Sequence, residues 1–208
     1  MNPRVLALAL AAFLAACSSI APDKPLRATS YDFGVAPVAP SAAGPRQPAI
    51  VLADLEAAGS LETSALLYRL GYADGHQLLP YAQARWAAPP TRLVRQRLRE
   101  LLGRDRAVLD SSESAALARQ GGAMPPMLRV DLEEFSHVFD SPTQSWGVVR
   151  MRVTLMENTP AGERLVGQRM FVQRQPAPSA DAAGGVRALT AATDAAAQEI
   201  AGWLAQPN

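Results

Sequence analysis

The second half of the chain alternates apolar and polar residues at the period expected of half-buried β-strands. Every second residue of 149–155 is apolar, with arginine or threonine in between, and residues 128–132 follow the same rule. Phe135 and Phe139 then fall on the opposite parity. Because a strand keeps its two faces only while the period of two is unbroken, this slip predicts a bulge near Glu133-Glu134.

A turn signal follows these two strands. Residues 158–162 read NTPAG, a combination typical of a hairpin turn, and residues 165–173 carry enough apolar residues to return as a strand. The three segments together predict an antiparallel meander near the end of the chain.

The first half of the chain holds shorter apolar runs. Residues 73–76 (ADGH) are turn formers, and they separate two of these runs. The predicted strands are residues 29–35 (with Tyr31, Phe33 and Val35 at period two), 49–55, 66–70, 78–81 and 107–110.

Helical periodicity appears in two long segments and one short one. Pro89-Pro90 is tolerated at a helix start, residues 91–102 place their apolar residues on one side, and Gly103 stands where a stop is expected. A last helix over residues 182–205 buries a stripe of Val186, Leu189, Ala196, Ile200, Trp203 and Leu204, with Arg187, Asp194 and Gln198 outward. Residues 111–119 predict a short helix capped by a serine.

These elements predict the fold class. Strands mixed with two main amphipathic helices indicate an α+β domain in which the helices pack on an antiparallel or mixed sheet. A chain of 208 residues is long enough for one such domain with appendages.

The first seventeen residues are typical of a lipoprotein signal. One positive charge lies in residues 1–4, an uncharged apolar run follows over 5–14, and the stretch ends in Leu-Ala-Ala-Cys17. The apolar run is too short to span a bilayer, which needs about 20 residues. Leu-Ala-Ala-Cys matches the bacterial lipobox, in which the cysteine sulfur receives a diacylglyceryl group. The alternative is an ordinary secreted protein with an accidental cysteine at this position.

Three segments are therefore predicted. Residues 1–16 form the signal peptide, residues 17–27 the lipidated cysteine and a tether, and residues 28–206 the domain. Six prolines within residues 18–48 favour extended conformations at the start of the mature chain. Ser18 follows the cysteine where aspartate would retain a lipoprotein in the inner membrane, so we expect the outer membrane, on its periplasmic face.

Composition excludes several functions. Twenty Lys and Arg stand against nineteen Asp and Glu, so the chain is not a strongly basic nucleic-acid binder. One cysteine excludes an intramolecular disulfide framework and a multi-thiolate zinc site, and two histidines leave little for a histidine-rich metal centre.

Candidate catalytic residues are few. Asp74-Gly75-His76 is either half of a metal or acid/base site or, as we favour, a polar turn. His137 among Phe135, Val138 and Phe139 is typical of a strand histidine at a sheet edge rather than of a ligand. Asp131, Glu133 and Glu134 are typical of a solvated strand face. We therefore predict no catalytic residue, no cofactor, no metal site and no enzyme activity.

Two features suggest a surface for a partner. Residues 85–106 contain seven arginines against Glu100 and Asp105, a net charge of +5. Four aromatic residues lie within residues 68–86, and tyrosine and tryptophan favour interfaces. The arginines suit anionic lipid headgroups or an acidic partner. Core packing of the aromatic residues and a simple solvated helix face for the arginines are the interpretations that we favour over an interface. The candidate interface comprises Tyr68, Tyr81, Arg85, Trp86, Arg92, Arg95 and Arg99.

The same region carries a family resemblance. The run Tyr81-Ala-x-x-Arg85-Trp-Ala-Ala-Pro-Pro90, leading into an amphipathic helix, resembles the auxiliary lipoproteins of ABC-type transport systems, of the paraquat-inducible type that accompanies MCE-domain lipid transporters. The lipobox, the early Tyr31-Asp-Phe33 strand and the closing helix extend the resemblance over nearly all of the mature chain.

The resemblance implies a non-enzymatic periplasmic domain with no catalytic residues to carry over. Its partners would be an MCE-domain protein that spans the periplasm and an ABC permease and ATPase, and its cargo phospholipid or a similar apolar molecule. A homo-oligomer is possible. Two other classes remain open from the residues: an envelope lipoprotein unrelated to lipid transport, and a hydrolase, for which no triad can be assembled.

Overall fold

The long strands near the end of the chain organise the structure around them. A computed structural model describes residues 27–35, 47–119 and 124–206. The predicted signal peptide, Cys17 and the tether up to residue 26 lie outside the described residues. Within those that are described, no helix is both long enough and apolar enough to cross a membrane.

The described residues form one sheet of nine strands. Four helices accompany it: α1 (Gly71–Asp74), α2 (Pro90–Leu102), α3 (Ser111–Arg119) and α4 (Ala182–Leu204). The strands are β1 (Thr29–Tyr31), β2 (Ile50–Leu52), β3 (Glu56–Ala57), β4 (Ala65–Leu70), β5 (Gly75–Trp86), β6 (Val108–Leu109), β7 (Met127–Phe139), β8 (Ser145–Thr159) and β9 (Gly162–Pro176).

The sheet is mixed, which confirms the predicted fold class. One path of neighbours runs β1-β5-β4-β7-β2-β6, while β8 pairs with β7 on its other edge and β9 pairs with β8. The hairpin β4–β5 and the meander β7–β8–β9 are antiparallel. In contrast, β1 pairs with β5, and β2, β3 and β4 pair with β7, in parallel.

The predicted bulge is present in β7. Its register against β8 shifts between Leu132 and Glu134, so Leu132 and Phe135 both face the core. A second shift lies opposite Leu155-Met156, where β9 returns, and the alternation did not reveal it. Gly162 closes the hairpin between β8 and β9 with a φ of +118°, a conformation that favours glycine.

The core lies between the sheet and helices α2 and α4. Helix α4 packs on β7, β8 and β9 and also contacts α2. It comes close because Gly147 of β8 lies beneath it: a Cβ at this position would be 2.4 Å from the backbone carbon of Ala188. Both long helices agree with their predicted bounds to within one residue.

Three local predictions need correction. Strand β1 ends at Tyr31 rather than at residue 35. The strand predicted over 49–55 is shorter, because β2 ends at Leu52, and the separate strand β3 follows only at Glu56. Helix α3 is capped by Asp110, not by a serine: the Asp110 carboxylate accepts from the backbone N–H groups of Ser112 and Glu113, and Glu113 accepts from that of Asp110. This reciprocal pair is a capping box.

The turn predicted over residues 73–76 is tighter than expected. Residues 71–74 form α1, and Gly75 already begins β5, which continues through Pro80 to Trp86. Asp74 Oδ1 accepts from the backbone N–H of His76 at 2.9 Å, so these residues serve as the polar turn that we favoured.

Candidate partner-binding surface

The end of the β4–β5 hairpin presents apolar side chains that the fold does not bury. Residues 68–81, which we name the arm, comprise the end of β4, α1 and the first half of β5. Every residue of the arm keeps some solvent exposure, although six of the fourteen are tyrosine or leucine. Tyr72 is 49% exposed. A cluster of apolar side chains that remains exposed to solvent on an otherwise well-packed domain is typical of a contact surface.

Strand pairing explains why the tyrosines of the arm meet. Tyr68 of β4 lies opposite Leu79 of β5, so Tyr81, two residues further, projects from the same face. The ring centroids of Tyr68 and Tyr81 are 4.6 Å apart, and Phe139 lies 6.2 Å from Tyr68. The structure thus brings two of the predicted interface residues into one aromatic cluster.

A hydrogen bond joins this cluster to the core. The Tyr81 hydroxyl lies 2.8 Å from Nδ1 of His137, which is fully buried in β7. Burial lowers the pKa of His137 to about 4, against a smaller opposing effect of the Asp181 carboxylate, so the ring is neutral at pH 7. Burial, followed by the neighbouring Tyr68 and Asp181, raises the pKa of Tyr81.

Helix α4 stops short of the arm. Asp181 caps its first turn by accepting from the backbone N–H of Gly184 at 2.7 Å. Gly185 sits over His137, where a Cβ would lie 2.5 Å from Nδ1. Because α4 packs on β7, β8 and β9, it leaves the arm strands without a helix above them.

Trp86 does not belong to this surface. It is 1% exposed, and its ring lies 5.5 Å from those of both Phe33 and Phe135. The favoured interpretation, core packing beneath the start of α2, is the one the structure shows, so Trp86 has almost no exposed surface to offer a partner.

The arginines predicted with it are dispersed. Arg95 donates to the carbonyl oxygens of Leu52 and Ala53 and pairs with Asp54 at 3.2 Å. Arg99 instead ties α2 to α3 through Glu113 at 3.2 Å. Arg85 and Arg92 are exposed, on β5 and in the first turn of α2.

Two arginines of the same stretch are buried. Arg106 is 6% exposed, and burial lowers its pKa. Arg97 is 3% exposed and donates to Asp194 of α4 at 2.6 and 3.1 Å. Burial disfavours the charged Arg97, but the hydrogen bond and charge of Asp194 more than offset this and raise its pKa. Asp194, predicted to face outward, is thus a helix–helix contact, and the seven arginines do not form one basic patch.

Glu133, Glu134 and His137 make structural contacts. His137 does not lie at a sheet edge as predicted, because β4 and β8 pair with β7 on either side of it and it is fully buried. Glu133 pairs with Arg150 at 3.3 Å and Arg152 at 2.6 Å on the solvent face of the sheet. Glu134 accepts from Arg69 and from Ser136. In the part of the chain that the structure describes, no group of three or more His, Cys, Asp or Glu residues could hold a metal ion.

One feature was not foreseen from the sequence. A groove of about 580 Å³ lies between the segment around Phe33 and the middle of α4, with Ala87 at its floor and Arg187 and Asp194 among its polar lining. The period-two pattern of residues 29–35 placed Phe33 in a strand, but only the tertiary structure shows that this segment leaves a gap beside the helix.

Comparison with known proteins places these features in a family. Residues 31–201 match the family model described as ABC-type transport auxiliary lipoprotein component. No curated protein matches the chain. Among solved structures, a Xanthomonas campestris protein of the family DUF330 is 21% identical with a TM-score of 0.67, covering 84% of this chain and 94% of its own. An uncharacterized protein is 14% identical with a TM-score of 0.63, covering 86% and 99%. At these identities the two structures show the shared fold.

Proposed function

The chain belongs to the family of ABC-type transport auxiliary lipoprotein components, and from this premise we propose that it serves an MCE-type ABC system. It is a non-enzymatic component, held by acylated Cys17 in the outer membrane on the periplasmic side. The system moves phospholipids or similar apolar molecules across the envelope. The observation that carries this proposal is the family match over residues 31–201, joined to the single cysteine at the end of a lipobox.

The anchor follows from the chemistry of residue 17. A single acyl chain holds a protein only reversibly, whereas a mature lipoprotein carries two or three, which makes attachment effectively permanent. About ten residues of tether then separate the bilayer from the domain and reach at most about 35 Å. The domain therefore works close to the membrane that carries it.

The domain is a membrane-anchored docking module that binds the end of the transport assembly. Anchoring raises its local concentration at the end of the transport assembly, so that even a modest contact surface suffices. The partners are the MCE-domain protein that spans the periplasm and, through it, the permease and ATPase. The structural contacts of Glu133, Glu134 and His137 support a role without chemistry.

The arm is the surface we assign to the partner. Tyr68, Tyr72 and Tyr81 have large, rigid and partly exposed side chains. Side chains of this kind contribute most of the binding energy at many interfaces. Arg85 and Arg92 are the two exposed arginines of the predicted interface, and they offer hydrogen-bond donors on β5 and α2, outside the arm. Trp86, Arg95 and Arg99 act indirectly, by holding β5 and α2 in place.

Capture of partners tests the arm. The full chain is purified from its native host in mild detergent, and co-eluting proteins and lipids are identified by mass spectrometry. We expect MCE-domain and ABC components with the parent chain and at least a tenfold lower yield with Tyr68→Ser/Tyr72→Ser. Val35→Ser, which changes a side chain that is 93% exposed outside the arm, is the matched control.

The outcomes separate the parts of the proposal. Equal capture by all three chains contradicts the arm as the docking surface. Absence of MCE and ABC components from the parent's eluate contradicts the transport role and favours an unrelated envelope lipoprotein. A circular dichroism melt of each variant shows that the fold is retained.

Labelling tests the anchor. An alkyne fatty acid fed to the host should label the parent chain but not Cys17→Ala, and the labelled chain should band with outer-membrane markers on a density gradient. A parent chain that is released unlabelled into the periplasm would disprove the anchor.

A further inference from the structure

The outer edge of β9 is long and open. The strand runs for fifteen residues and pairs with β8 along nearly its whole length, from Thr159 with Gly162 to Trp146 with Pro176. Among the described strands, β8 is its only partner. Helix α4 packs on one face of β9 rather than along its edge, since Trp203 contacts Gly167 and Phe171. The backbone groups on the other edge therefore face outward.

This edge carries little of the usual protection against pairing. Proteins guard exposed edges with charged side chains, lysine above all, and with proline, bulges or short strands. The charged residues within 167–175 are Arg169 and Arg174. In β9 the only proline is the terminal Pro176, there is no lysine, and the register shift lies near Leu165, which leaves residues 167–175 regular. Three of the six large apolar side chains that are exposed in the described part of the chain lie on this strand: Leu165 at 57%, Met170 at 39% and Val172 at 56%.

We propose that this edge binds a second copy of the chain, β9 against β9 in antiparallel orientation about a two-fold axis. An isologous contact needs a self-complementary strand. With the axis at Phe171, Met170 of one copy lies opposite Val172 of the other, and Gln168 lies opposite Arg174. The exposed apolar residues then meet at the centre, and glutamine faces arginine on either side.

Neighbouring registers define the axis. An axis at Arg169 or at Arg174 sets each of these arginines opposite its own copy, and like charges directly opposite destabilise a strand pair. Of the possible positions for the two-fold axis, only those near Phe171 avoid an arginine opposite its own copy and keep Met170 and Val172 at the centre of the contact. The charge pattern of the strand therefore selects one narrow range of registers.

The charge on the adjoining sheet face also points to a second copy rather than to an acidic partner. Arg150 and Arg152 already pair with Glu133, Arg164 pairs with Glu157, and Arg174 pairs with Asp140. This surface has few uncompensated positive charges left to attract an acidic chain. It does have the apolar centre and the open backbone that an identical strand would satisfy.

Cross-linking of single cysteines in the full chain tests the contact. Cys17 is the only cysteine in the sequence, so Val172→Cys adds one thiol at a defined place. Membranes of the native host are treated with a short bismaleimide, and the parent chain and Gln198→Cys, an exposed position on α4, are the controls. We expect Val172→Cys to form a homodimer at least tenfold more than either control.

A charge introduced on the edge gives the complementary measurement. Val172→Asp places like charges near the two-fold axis on an exposed position, where the fold tolerates it. Light scattering on the detergent-solubilised full chain should show a dimer for the parent and for Val35→Asp, and at least a tenfold weaker dimer for Val172→Asp.

The possible results decide the proposal. Cross-linking of Val172→Cys to itself together with a weaker Val172→Asp dimer supports it. A monomeric parent, equal cross-linking at Gln198→Cys, or cross-linking of Val172→Cys to a different protein overturns it, and the last result assigns the edge to an extended segment of that protein. None of these results depends on the arm or on the transport partners, so failure here leaves the proposed function standing.

Discussion

Two regions of the same sheet treat their apolar residues in opposite ways. Ten residues of α4 are buried. Because Gly147 and Gly185 have no side chain, the helix and the sheet come into direct contact at these two positions. In the arm, fourteen consecutive residues include six tyrosines and leucines, and none is fully buried. The difference shows that apolar content alone does not locate the core; what matters is whether a helix lies above the strand.

Polar groups follow the same division. Under the helices, Arg97 and His137 are buried, and each has one main partner, Asp194 and Tyr81. On the solvent face of the sheet, the exposed side chains of Arg150 and Arg152 both form ion pairs with Glu133. We therefore expect substitutions in the covered region to act on stability and those in the arm to act on binding.

The largest loss is expected from Asp194→Ala. The buried Arg97 guanidinium would lose its two hydrogen bonds and keep only the longer ion pair with Glu100 at 3.6 Å, so the loss should approach the cost of breaking a buried pair, about 3–5 kcal/mol. Urea unfolding followed by circular dichroism measures the change. Glu133→Ala, which removes the exposed pairs, should lose no more than about 1 kcal/mol. Equal losses would remove the distinction between the two faces.

Acid should weaken the covered region through His137. Its pKa in the folded chain is about 4, below the usual value of 6.5, so between these values the unfolded chain binds a proton that the folded chain does not. Stability is therefore complete above pH 6.5 and falls as the pH drops towards 4, by about 3 kcal/mol.

The variant His137→Gln isolates this contribution. Its side chain stays polar but does not titrate, so the unfolding free energy of the variant should decline less over the same pH range. His76→Gln, at the exposed tip of the arm, should follow the parent. Parallel profiles for the parent and His137→Gln would exclude the histidine as the cause.

Gly147→Ala tests the close approach of α4. The added Cβ would meet the helix backbone at 2.4 Å, where no side chain can yield, and overpacking of this kind costs about 1–3 kcal/mol. Gly202→Ala, in the same helix with no atom within 4 Å of its Cβ, should be neutral or stabilising by up to about 1 kcal/mol. Thermal unfolding of the pair distinguishes steric contact from a general effect of alanine.

The smallest effect is expected where the two regions join. Tyr81→Phe removes the hydroxyl bonded to His137 and should cost about 1 kcal/mol, while capture of partners through the tyrosine rings is retained. Tyr72→Phe should leave stability unchanged. A larger loss of capture than of stability for Tyr81→Phe would show that the hydroxyl itself binds the partner.

Local patterns predicted most of the fold. Alternation located β7, its bulge and β8, and the helical period located α2 and α4, because each of these elements has one buried face. The start of β5 was missed, since Asp74-Gly75 and Pro80 are turn residues that tolerate an edge position in a strand. The cap of α3 was assigned to a serine because Asp110 and the serines after it are all good caps.

The candidate site was less predictable. The structure brings Tyr68 and Tyr81 together, and it buries Trp86 as the core-packing interpretation predicted. The burial of Arg97 was missed, because its partner Asp194 is distant in sequence. A period along one element tells which side is apolar, not which other element covers it. The parallel pairing of β1, β2, β3 and β4 could not be predicted either, because the sequence of one strand does not identify the strand beside it.

The way the chain enters the sheet has a mechanical consequence. Strand β1, the first of the described elements, pairs with β5 at only three positions, and Phe33 just beyond it packs edge-on against Trp86. With the anchor at Cys17 that we propose, tension applied from the bilayer would reach this short ladder before the rest of the described sheet, and would then have to pull the Phe33 ring out of the core. The β1–β5 pairing and the Phe33–Trp86 contact would thus resist the force. The meander β7–β8–β9 would keep its structure when the bilayer and the transport assembly move apart.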